Sequence, residues 1–118
     1  MEALELATLR VPLRLAGVLA LGDCYLADRR WRWAAEHYAQ VVRDAQASPT
    51  LLLRAAAGLD RLGLPRFGVE ACRKATRLDP TLAQPFYDLS YYLLRTGGTP
   101  GTIEAAAVME SLFRQSEL

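Results

Sequence analysis

Leu21-Gly22-Asp23-Cys24-Tyr25, followed by Ala34 and then Tyr38, is the stretch on which the fold turns. The small residue Gly22 has counterparts at Ala56 and Ser90, each 34 places further on. The same interval links Val18, Leu52 and Phe86, all apolar, and Tyr25, Leu59 and Leu93. Ala34 stands to Gly68 as Tyr38 stands to Cys72 and Val41 to Ala75. In the last copy Gly97 to Thr102 adds about three residues, which brings Ala105, Met109 and Leu112 to the equivalent places. A 34-residue period of paired helices predicts stacked helix–turn–helix units.

Chain breakers divide the same sequence into six helix-sized pieces. These are predicted over about 12–27, 30–46, 49–62, 65–78, 82–95 and 100–114, with a short extra helix in 1–11. Ser48-Pro49 reads as an N-cap followed by proline in the first turn, where its missing N–H is harmless. Gly63 and Gly97-Gly98 end helices. The connections are short, so neighbouring helices run antiparallel. The units fall at 15–48, 49–82 and 83–116, behind an extension over 1–14, all within one domain of 1–118.

Composition agrees with an all-α fold. Of 118 residues, 21 are Leu and 19 Ala, with one Ile and no Asn, a balance that favours helix over strand. Fourteen Lys and Arg offset 13 Asp and Glu, which argues against a general nucleic-acid binder. Cys24 and Cys72 form no CxxC and the chain has one histidine, so no zinc set is expected. Both cysteines read as small buried hydrophobes in a reducing compartment. Arg10 and Arg14 precede the apolar run 15–21 like a signal peptide, but Glu2 and Glu5 spoil its basic region. No run approaches the roughly 20 apolar residues of a membrane span, so a cytoplasmic protein is expected.

Over about residues 15–116 the chain resembles a tetratricopeptide repeat protein. Leu21-Gly22-x-x-Tyr25, Ala34 and Tyr38 follow that family's Leu-Gly-x-x-Tyr…Ala…aromatic pattern. The second unit matches through Leu52, Ala56, Leu59, Gly68, Ala75 and Leu78-Asp79-Pro80, the third through Phe86, Leu89, Ser90, Leu93 and Ala105. The first unit departs from it: Pro49 falls about three residues late for the closing proline. Trp31 stands where the family carries an aromatic at the helix–helix turn and is expected to pack there. The resemblance implies an α-solenoid of three units in a short right-handed superhelix.

Small residues suit helices that approach to 8–10 Å. Gly22 and Ala34 are expected to face each other, with Tyr25 and Tyr38 filling the flanks and keeping their hydroxyls near water. Gly68 costs about 1 kcal/mol against alanine within a helix, so it is expected to secure a close contact.

The resemblance further implies a concave face lined by the first helix of each unit, which in the family binds an extended peptide or a helix of another protein. Carried onto this sequence, the first unit contributes Leu19, Asp23 and Leu26, and the second Leu53, Arg54, Ala57 and Arg61. The third contributes Tyr87, Asp88, Tyr91 and Arg95. Tyr87 and Tyr91 lie one turn apart, and Tyr and Arg are frequent interface anchors. The places of the family's carboxylate clamp hold Leu19, Asp23, Arg54, Gln84 and Asp88; two carboxylates there disfavour an acidic C-terminus as ligand. The expected role is non-catalytic: adaptor, assembly factor or chaperone, with a small secretion-type chaperone as an alternative.

A second candidate interface lies in the last helix. Residues 103–113, with Ile103, Val108, Leu112 and Phe113, are apolar around much of the circumference, as in a helix buried on both sides. A self-associating scaffold, or a piece of a longer array, would explain that. Arg29-Arg30-Trp31-Arg32-Trp33 could engage an anionic membrane or nucleic-acid bases, but with Trp31 expected to pack, a structural role is preferred and membrane or nucleic-acid partners are not expected. Gly97-Gly98-Thr99-Pro100-Gly101-Thr102 lacks the P-loop lysine. His37 has no placed nucleophile, leaving an enzyme as the remotest alternative, and no cofactor or metal is expected.

Overall fold

The computed structural model describes the backbone of residues 2–117 and the side chains of residues 13–114. Six helices follow one another: α1 (Glu2–Ala27), α2 (Trp31–Arg43), α3 (Pro49–Arg61), α4 (Pro65–Leu78), α5 (Gln84–Thr96) and α6 (Gly98–Glu117). The fold is all-α. α1 is longer than expected: it runs through Pro12 to Glu2, so residues 2–11 belong to it rather than to a separate helix. α2 ends at Arg43, three residues before the expected Gln46. Its early stop follows from Asp44, which turns extended and accepts the Gln46 N–H at 2.8 Å on its carboxylate. Ser48 caps α3 as expected, its Oγ accepting the Leu51 N–H at 3.3 Å ahead of Pro49.

A 34-residue spacing recurs in the backbone. Arg29, Gly63 and Gly97 take positive φ angles of 60°, 77° and 92°, and they stand 34 residues apart. After α1 the Arg29 N–H donates to Leu26 O (3.1 Å) and the Arg30 N–H to Tyr25 O (2.8 Å). After α3 the Gly63 N–H donates to Asp60 O and the Leu64 N–H to Leu59 O, both at 2.9 Å. Both are the Schellman closure of a helix C-terminus, whose left-handed residue is normally glycine. The equivalent small residues Gly22, Ala56 and Ser90 are all buried.

Each helix pairs with the next. The three hairpins α1–α2, α3–α4 and α5–α6 then stack through α2 on α3 and α4 on α5. First helices form a row, α1 beside α3 and α3 beside α5, and α2 touches α4 behind it. Among the described residues α1 contacts neither α5 nor α6, so the ends of the stack stay apart and no closed bundle forms. The molecule is a slab of 46 × 39 × 18 Å. This packing is compatible with a helical repeat.

The core runs through the middle of the stack: Leu15, Leu19, Ala34, Tyr38, Val41, Leu52, Ala56, Leu59, Ala71, Cys72, Ala75, Leu89, Leu93 and Ala105. Its pivot is Tyr38. The ring lies against the backbones of both Gly22 and Gly58; a Cβ on Gly58 would stand 2.3 Å from Tyr38 Cζ, and one on Gly22 3.0 Å from Cε1. The nearest neighbour for which Gly22 makes room is thus the Tyr38 ring, which was expected only to fill the flank. The Tyr38 hydroxyl is not left near water but donates to Asp23 Oδ1 at 2.5 Å, and burial pushes its pKa above the ordinary phenol value. Gly68 does secure a close contact, with the ring of Tyr92. Gly101 does the same where α6 crosses α5: its Cβ would meet Leu93 O at 2.6 Å.

Several expectations are corrected. Cys24 is exposed, and only Cys72 is buried, where desolvation pushes its thiol up to about 12. Trp31 does not pack into the helix–helix turn but is 54% exposed. On α6, Val108 and Leu112 turn toward the core, while Ile103 and Phe113 are exposed.

Candidate functional site

The row of first helices leaves a trough. Between α3 and the start of α5 a hollow of about 580 Å³ is lined by Leu53, Ala57, Leu82 and Pro85, with Thr50, Ala83, Arg54, Gln84 and Asp88 around it. Between α1 and α3 a smaller one, of about 150 Å³, is lined by Leu19, Asp23, Arg54, Ala57, Gly58 and Arg61. Arg54 and Ala57 belong to both, so the two hollows adjoin. Ala57 is the reason they can: a larger side chain at the middle of α3 would stand between them.

Charges at the rim alternate. Arg54 reaches Asp23 across α1 and α3 at 3.9 Å, a separation that leaves the guanidinium free to turn toward a ligand. Asp88 accepts the Gln84 side-chain N–H at 2.7 Å. Arg95 of α5 donates to Asp60 of α3 at 2.7 Å, and its guanidinium lies 5.6 Å from the ring centre of Tyr91. Tyr91 also meets Tyr92 edge to face at 5.4 Å. A trough with an apolar floor and rim charges of both signs can hold a chain segment with apolar anchors and polar backbone between them.

Of the eleven residues expected in the trough, Asp23, Leu53, Arg54, Ala57, Arg61 and Asp88 gather around the two hollows. Leu19 reaches the smaller one only as its floor, being 1% exposed and part of the core. Leu26, partly buried, packs against the core and lines neither hollow. Tyr87 and Tyr91, 45% and 51% exposed, stand outside both hollows, with Arg95 beside Tyr91. Thr50, Leu82, Ala83 and Pro85 were not foreseen: they come from helix starts and the α4–α5 turn, which a register of helix positions does not place. Proline at the first turn of α5 was the one signal available.

No family model, curated protein or solved structure matches the chain. No group of three or more metal-ligating side chains occurs among the described residues. No helix, among the described residues, is long and apolar enough to cross a membrane.

Proposed function

We propose that the chain is a non-catalytic protein-binding module of three tetratricopeptide-like hairpins, which takes a segment of another protein into the trough along α1, α3 and α5. The adjoining hollows that share Arg54 and Ala57 are the observation that carries it. Leu53, Ala57 and Leu82 offer apolar contact for one or two anchoring side chains, while Arg54 and Asp88 can meet backbone carbonyls and amides between them. The exposed Tyr87 and Tyr91 extend this surface along α5. Mixed rim charge suits a partner segment of mixed charge rather than an acidic tail.

Pull-down from the native host tests it. Ala57→Trp fills the junction of the hollows, and Tyr87→Ala with Tyr91→Ala strips the flank, all at exposed positions that leave the core alone. Both variants should stay folded by circular dichroism and lose the wild-type partner. Unchanged capture by Ala57→Trp would remove the trough as the working surface.

A further inference from the structure

The tip of the first hairpin carries a patch that the trough does not use. Trp31 and Trp33 are 54% and 53% exposed, and they are both of the chain's tryptophans. They alternate with Arg29, Arg30 and Arg32, all exposed. Trp33 leans on Tyr25 at 5.8 Å, yet half its surface faces solvent. Side chains in a helix tilt toward its N-terminus, so Trp31, Arg32 and Trp33, in the first turn of α2, lean toward the hairpin tip.

The backbone adds a second anomaly. Arg29 takes the positive φ that the turns of the other two hairpins give to Gly63 and Gly97. A residue with a Cβ is less at ease there than glycine. Three cations face two carboxylates at the tip: Arg30 is paired with Asp28 at 2.7 Å and Arg32 lies 3.6 Å from Glu36, leaving Arg29 in surplus.

We propose that this hairpin tip docks on the surface of an anionic phospholipid bilayer. Indole rings partition to the boundary between headgroups and acyl chains, and a local surplus of arginine is drawn to negative headgroups. A nucleic acid would instead need a long row of cations along its backbone, which a chain of formal charge +1 with one small surplus does not offer. The contact is peripheral, since Trp31 and Trp33 sit at the end of a hairpin and the trough on α1, α3 and α5 remains open.

Because both tryptophans lie in the patch, their fluorescence reports on it directly. The full chain is titrated with vesicles of phosphatidylcholine mixed with phosphatidylglycerol, and with phosphatidylcholine alone. The anionic vesicles should shift the emission to the blue, bind about fivefold more tightly or better than the neutral ones, and release the protein as salt rises. Brominated acyl chains should quench the same emission. Arg29→Gly removes the surplus charge and suits the positive φ, so it should weaken vesicle binding by about fivefold without lowering the melting temperature. Trp31→Ala with Trp33→Ala should abolish co-sedimentation with the vesicles. Emission unmoved by anionic vesicles, equal affinity for neutral ones, or binding by a single-stranded oligonucleotide alone would each overturn the proposal, as would co-sedimentation that survives both sets of substitutions.

Discussion

Tyr38 shows how much of this structure is settled one side chain at a time. Its ring fills the gap left by two glycines on different helices, Gly22 of α1 and Gly58 of α3, while its hydroxyl is held by Asp23. Gly58→Ala should gain helix propensity and still destabilise the protein, by about 1–3 kcal/mol, because the new methyl has nowhere to go but into the ring. Tyr38→Phe should cost about 0.5–1.5 kcal/mol, since Asp23 can turn to water when its donor is removed. Chemical denaturation of both variants checks the order, Gly58→Ala the worse. Asp44 offers a pH test. Hydrogen bonds from Arg14 and from the Gln46 N–H hold its carboxyl below the usual range. A carboxyl so depressed contributes stability above its unfolded pKa, about 3.9, and loses it as pH falls through the lower folded value. Thermal melts between pH 5 and pH 2 should therefore fall more steeply for wild type than for Asp44→Asn. Equal slopes would remove Asp44 as an acid-labile contact.

At the scale of the helices, what could be read from the sequence was the repeat and its small residues. Gly22, Ala56 and Ser90 announced close packing, and Ser48-Pro49 and Gly63 announced where helices start and stop. The identity of the facing residue was not legible: Gly22 and Gly58 meet one tyrosine from a third helix, a contact that depends on how α1, α2 and α3 converge. Trp31 was misplaced because aromatic character at a turn cannot say whether the ring faces the neighbouring helix or solvent. The trough was half legible. Positions on the first helices follow the register, whereas Leu82, Ala83 and Pro85 depend on the path of the α4–α5 turn. Ala34, fully buried between hairpin helices, gives the element-scale prediction. Ala34→Leu should lower the melting temperature sharply, as overpacking at a helix–helix contact does, and an unchanged melt would count against the α1–α2 contact. Gly101→Ala should be harder still to absorb, because the obstacle is the Leu93 carbonyl and not a side chain that can swing away.

Among the described residues α1 contacts neither α5 nor α6, and the two hollows lie along the row of α1, α3 and α5. Among the described residues the ion pairs between hairpins lie at the surface: Arg54 with Asp23, Arg95 with Asp60, and Arg73 with Glu104. Lys74, the chain's one lysine, donates to Val42 O and, at 3.5 Å, to Asp44 O, tying α4 to the end of α2. Such ties orient one hairpin on the next, while the buried alanines and leucines supply most of the cohesion. The trough and the Trp-Arg tip occupy different parts of the stack, so a partner segment and a lipid surface could be held at once. The most direct test of the trough is site-specific photo-cross-linking in the native host. A photoreactive residue is placed at Leu82, exposed on the wall of the larger hollow, and in a second variant at Phe67, exposed on α4 outside both hollows. The account predicts a discrete protein adduct from Leu82 and none from Phe67; adducts from Phe67 alone would contradict it.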